Sequence, residues 1–161
     1  MGDSIVDSGR FWEISYLDLV LPASDSVWFG LITGDDKVKY KSWYFSAVIK
    51  QVNIWLYEDV GFTGGVPLVF KNRNRNTKRN TSFSAYGGIT PDSIINDPGD
   101  PKTMSVTQYN ASNQETINYS VSGEEHTWLL RPNTAYITRV QNPITKAGAY
   151  SSLTNIEELI W

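Results

Sequence analysis

The chain has 161 residues, a formal net charge of −3 and 13% aromatic residues, with six Trp and nine Tyr. That length fits one domain, and so aromatic a composition excludes a disordered tail. There are no cysteines, which excludes disulfides and thiolate chemistry, and no apolar run nears the roughly 18 residues of a membrane span.

The chain begins "MGDSIVDSGR". It lacks a basic start followed by an apolar run, so it does not read as a secretory signal. Residues 1–10 are expected to form a polar arm of the kind that orders across a neighbouring subunit. Residues 11–161 are expected to form a single domain. Through that domain, helical periodicity is nearly absent. Short runs rich in Val, Ile, Tyr, Trp and Thr recur between Gly, Pro, Asn and Asp. This pattern predicts an all-β antiparallel sandwich, jelly-roll-like, or a barrel of many strands. The predicted strands are Arg10–Val20, Asp25–Thr33, Val38–Ile49, Gln51–Glu58, Val66–Phe70, Ser82–Tyr86, Thr103–Tyr109, Thr116–Val121, Thr127–Arg131, Ala135–Gln141 and Leu153–Trp161. In the fourth, Val52, Ile54 and Leu56 share one face while Trp55 and Tyr57 share the other, so both faces are expected to be covered. The last, "LTNIEELIW", fits a strand better than a short helix capped by Thr154.

Between the strands, "GFTGG" (Gly61–Gly65) is a turn whose glycines tolerate positive φ. "NDPGDP" (Asn96–Pro101) is a loop, because two prolines keep it out of a sheet. "YNASNQE" (Tyr109–Glu115) is a polar turn. The carboxylate pairs Asp35–Asp36, Asp97 with Asp100, Glu124–Glu125 and Glu157–Glu158 could in principle face each other as a glycosidase requires. They fall mostly in turns, where Asp bonds its own backbone, and that is the preferred reading. His126 is the one histidine; beside two glutamates and with no flagged nucleophile, it reads as a polar edge residue. No catalytic residue, cofactor or metal site is assigned.

"WLLRPNTAYITRVQN" (Trp128–Asn142) carries the most organised signal. Trp128 and Leu130 lead into Pro132-Asn133, a pair suited to a turn. Tyr136 then enters a strand, with Val140 on its face and Ile137 on the other. The Leu-x-Pro-x-Thr-x-Tyr run from Leu130 to Tyr136 resembles the tyrosine corner of fibronectin type III domains, in which a Tyr hydroxyl reaches back to upstream backbone. Pro132, Asn133 and Tyr136 are therefore expected to be structural, locking a crossing between sheets.

The charge is segregated. "KNRNRNTKRN" (Lys71–Asn80) holds Lys71, Arg73, Arg75, Lys78 and Arg79; removing these five positive charges from the net −3 leaves −8 for the rest. One reading is nucleic-acid binding, with phosphates on the basic residues and bases stacked on Phe70 and Phe83; the acidic body argues against it. In a second, Asn72, Asn74 and Asn76 order a long loop by satisfying backbone groups, while Arg73 and Arg75 pair with acidic groups such as Glu58 or Asp59. In a third, Arg73, Arg75, Lys78 and Arg79 face an acidic partner surface. The second and third are compatible.

"VNIWLYED" (Val52–Asp59), "GG" (Gly64–Gly65), "NRNRN" (Asn72–Asn76) and "LLRPNTAYITRVQN" (Leu129–Asn142) form an ordered series. Over residues 10–142 it is similar to a group of small β-rich structural proteins of tailed bacteriophages. The resemblance implies a virion protein, foremost a capsid decoration or cement protein. Its implied partner is the major capsid protein, with a homo-oligomer, foremost a trimer, expected from capsid geometry and no membrane. Such a protein needs aromatic anchors, for which Trp28, Trp43, Tyr44 and above all Trp161 are candidates. The alternatives are a host-recognition or glycan-binding module and, last, a glycan hydrolase.

Overall fold

The computed structural model describes residues 10–21, 24–47, 51–76, 78, 80–101, 103–108, 117–120, 128–142 and 148–158. Its strands are β1 (Phe11–Leu21), β2 (Ser26–Ile32), β3 (Val38–Ala47), β4 (Gln51–Glu58), β5 (Val66–Pro67), β6 (Phe70–Asn72), β7 (Ser84–Ile89), β8 (Thr103–Gln108), β9 (Ile117–Ser120), β10 (Trp128–Leu130), β11 (Ala135–Gln141) and β12 (Gly148–Glu158). Among the described residues the only helical element is a single 3-10 turn, Pro91–Ser93. The final element is a strand, and it starts at Gly148, earlier than its sequence pattern indicates.

Two six-stranded sheets result. The first runs β10-β3-β12-β1-β6, with β9 also paired to β3; the second runs β5-β7-β2-β11-β4-β8. All these pairings are antiparallel, and the architecture is an all-β sandwich. Side-chain alternation explains the layering. Leu31 of β2, Ile54 and Leu56 of β4, and Tyr136 and Val140 of β11 meet Trp12, Ile14, Val38 and Tyr40 of the first sheet in one buried cluster. Residues of the opposite parity on the same strands, Trp28, Tyr57 and Ile137, join Val60 and Ile89 in a second cluster. Both faces of the second sheet are thus covered, as the pattern of β4 indicates.

The outer cover is built from two loops. Phe62 and Ile94 pair as an isolated antiparallel bridge, supported by Thr63 N–H to Ser93 O at 2.9 Å and Ile95 N–H to Gly61 O at 2.8 Å. Gly30 is required beneath them, since a Cβ there would collide with the Phe62 ring. In β7 one extra residue is inserted opposite β2, between the pairs Tyr86 with Gly30 and Ile89 with Trp28. Gly88 takes φ +65° there, as a bulge needs, and the insertion turns Ile89 toward the outer cluster.

The predicted strand Val66–Phe70 is divided. Val66–Pro67 pairs with β7 in the second sheet, whereas Phe70–Asn72 pairs with β1 in the first. The chain crosses between sheets at Leu68 and Val69. Leu68 packs against the core while Val69 is exposed. One continuous strand would have to leave one of these sheet edges unpaired.

Candidate functional site

The basic run leaves β6 at the edge of the first sheet and returns to β7 in the second. It is not extended. Asn74 N–H donates to Asn72 Oδ1 at 2.8 Å, and Asn76 N–H donates to Asn74 Oδ1 at 3.0 Å. These are successive turns in which a side-chain amide replaces the missing ladder acceptor. Asn72 and Asn74 are half-buried and Asn76 is exposed. Thr81 Oγ1 donates to Phe83 O at 2.8 Å and fixes the far end.

Arg73 does not reach Glu58 or Asp59. Its Nη1 lies 2.9 Å from Glu13 Oε2 on β1, because β6 pairs with β1 and sets Lys71 opposite Glu13. With the arginine side chain half exposed, this pair contributes at most about 1 kcal/mol and serves mainly to place the loop. Glu58 is taken instead by Arg131, at 3.0 Å, with Asp59 at 3.7 Å. Strand order decides this, since Glu58 lies beside Tyr136 in the β4–β11 register. Lys71, Arg75 and Lys78 are exposed. Arg79 and Trp161 lie outside the described residues, as do His126, Glu124, Glu125, the arm up to Gly9 and the Tyr109–Glu115 turn.

Beside the loop is an open pocket of about 550 Å³ lined, among the described residues, by Trp12, Phe70, Asn72, Lys78, Asn80 and Thr81. Phe70 packs edge-on against Phe83 with centroids 4.6 Å apart, and Phe83 packs edge-on against Trp12 at 6.3 Å. Phe83 is 4% exposed, so it is core and has no free face for a base. Trp12 is also 4% exposed, and its Nε1 is buried without a hydrogen-bond partner.

The Pro-Asn turn stands elsewhere and is structural. Tyr136 is 1% exposed. Its hydroxyl accepts the Arg131 N–H at 2.8 Å and donates to Glu58 Oε2 at 3.2 Å. The upstream bond expected of a tyrosine corner is present. Burial raises the phenol pKa above 10.0, with smaller opposing effects from the Arg131 backbone and reinforcing ones from Glu58. Asn133 takes φ +50°; its N–H donates to Gly34 O at 2.9 Å and its Nδ2 to Asp35 Oδ1 at 3.1 Å. Thr134 Oγ1 donates to Pro132 O at 2.9 Å. Thr33, missed in the sequence, docks the turn: its hydroxyl lies 2.6 Å from Arg131 O and accepts the Thr134 N–H at 2.9 Å.

Also missed was a stack on the outer face of the second sheet. Arg139 lies opposite Trp28 on β2 and Trp55 on β4. Its guanidinium carbon is 5.0 and 4.9 Å from the two ring centroids, and its Nε donates to Ser26 Oγ at 3.0 Å. Trp28 is 9% exposed and stacks on Tyr57, so it belongs to the core and not to a partner surface. Trp43 and Tyr44 lie on β3. Asp97 Oδ1 accepts the Gly99 N–H at 2.9 Å, the turn role expected of it. Among the described residues no group of three or more His, Asp or Glu is placed to hold a metal ion, and no helix is long and apolar enough to cross a membrane.

No family model matches the sequence, and no curated protein matches it. Among solved structures, the chain is similar to the Yersinia pseudotuberculosis-derived mitogen, at 11% identity and TM-score 0.34, over 88% of this chain and 83% of that one. It is also similar to the VP2 subviral particle of infectious bursal disease virus, at 11% identity and TM-score 0.21, over 93% of this chain and 42% of that one. Likenesses this low assign neither family nor activity. The residues themselves give one surface of concentrated positive charge, held by asparagine turns, beside an open pocket of aromatic and amide groups.

Proposed function

We propose that this protein is a bacteriophage virion structural protein, a capsid decoration protein that binds the major capsid protein and acts by adhesion without catalysis. The observation that carries the reading is the ordered basic loop. On a chain whose remainder sums to −8, Asn72 and Asn74 hold Lys71, Arg75 and Lys78 exposed at a sheet edge. Such a loop suits an acidic partner surface, where charge complementarity sets encounter rate and register. The order β9-β3-β12-β1 in one sheet and β2-β11-β4-β8 in the other supports reading the sandwich as a jelly roll of two four-stranded sheets, with β5, β6, β7 and β10 as additions. The series from Val52 to Asn142 supports the phage assignment. On this reading the protein is made in the host cytoplasm and ends on the capsid surface, as a trimer at three-fold or quasi-three-fold positions.

The test is to mix the purified protein with undecorated capsids, follow co-sedimentation and image the product by electron microscopy. Binding is expected at regular capsid positions. Arg75→Ala with Lys78→Ala is expected to weaken it about tenfold or more with the melting temperature unchanged, because neither side chain is buried. Wild-type protein left in the supernatant, or a double variant that binds as tightly, would contradict the proposal.

A further inference from the structure

We propose that the open pocket beside the basic loop binds an acidic sugar, a polyhydroxylated ring bearing a carboxylate. At about 550 Å³ it falls within the range of roughly 300–1,000 Å³ of small-molecule sites. One aspartate or glutamate side chain from a partner would leave most of it empty. A nucleic-acid strand is disfavoured by a body of −8. The chemistry of the lining selects the ligand. Phe70, half-buried, supplies aromatic surface, and its contact with Phe83 fixes its ring. Asn72 and Asn80 carry amides, which both donate and accept, as hydroxyl groups do. Among the described residues Lys78 is the one charged residue in the lining and no carboxylate joins it there, which favours an anionic substituent.

Trp12 also lines the site. The indole N–H is a donor only, and here it is buried with no acceptor. A wall lined with amides and carrying Lys78 fits an oxygen-rich anionic ring. In the bound state Lys78 pairs with the carboxylate, Asn80 bonds ring hydroxyls and the apolar face of the ring lies against Phe70. This holds whether or not the protein sits on a capsid, since it concerns the isolated chain.

The experiment is a titration of the purified protein with glucuronic acid and N-acetylneuraminic acid, with galactose as the neutral control and poly-aspartate as the acidic peptide control. The six Trp give separate indole N–H signals by NMR, and Trp12→Phe assigns the one concerned. Either acidic sugar is expected to move the Trp12 signal while galactose does not. Calorimetry with Lys78→Gln, whose side chain is exposed, is expected to show about tenfold weaker binding or more at an unchanged melting temperature. That arm keeps the test decisive if Trp12→Phe does not fold. No response to either acidic sugar, an equal response to galactose, or a response to poly-aspartate alone would overturn the proposal.

Discussion

At the residue scale Tyr136 does the most. One hydroxyl serves the Arg131 N–H and the Glu58 carboxylate from a side chain 1% exposed. Tyr136→Phe removes both partners and leaves a part-buried N–H and a carboxylate oxygen unsatisfied. It is expected to cost about 1–3 kcal/mol, read as a shift in the urea midpoint with unchanged m. The same side chain predicts an alkaline effect. Its folded pKa lies above the ordinary 10.0, so above that pH the unfolded chain releases this proton first. The contribution of Tyr136 is then complete below pH 10 and lost as pH rises through the folded pKa. Urea midpoints measured upward from pH 9 should fall more steeply for wild type than for Tyr136→Phe. Parallel curves would mean the hydroxyl titrates alike in both states.

At the scale of elements, the outer face of the second sheet shows how cross-strand neighbours act together. Arg139 is held between Trp28 and Trp55, and such contacts are worth about 0.5–2 kcal/mol each depending on desolvation. Arg139→Ala should lower stability by about 1–3 kcal/mol on that basis and change the tryptophan fluorescence of the folded state. Arg139→Lys should recover only part, because an ammonium cannot stack as a planar guanidinium does. Unaltered stability in Arg139→Ala would show the stack to be incidental. This feature was illegible in the sequence, since Trp28, Trp55 and Arg139 are brought together only by the order β2-β11-β4. Strand pairing likewise gave Glu58 to Arg131 through β4 beside β11, and Arg73 to Glu13 through β6 beside β1. What was legible was local: the alternation in β4, the turn at Pro132-Asn133, the reach of Tyr136 over five residues, and the role of Asn72 and Asn74. The asparagines bond backbone only two residues ahead, a range over which sequence and geometry nearly coincide. Asn72→Ala with Asn74→Ala is accordingly expected to speed amide exchange at residues 74 and 76 while leaving β11 protected. Equal protection in the variant would mean that the loop is ordered by other contacts.

At the scale of the molecule, charge segregation sets how this protein can meet anything. The run Lys71–Asn80 carries five positive charges against −8 elsewhere, so positive charge is concentrated in one loop despite the small net charge. An acidic partner is attracted to that loop, which orients encounter before contact. The range of that orientation is the Debye length, about 30 Å at 0.01 M salt and about 8 Å at 0.15 M. If the basic loop is the docking surface, association with undecorated capsids should slow steeply between those salt concentrations while dissociation changes little, since steering acts on the on-rate. Arg75→Ala with Lys78→Ala should flatten that dependence, because it removes exposed charge without touching the Asn72 and Asn74 turns that hold the loop. The steering reading requires the wild-type rate to depend on salt and the variant's to depend on it less. A salt-independent wild type would place docking on an apolar face, and the exposed Val66, Val69, Ile95 and Leu129 would then be the side chains to substitute.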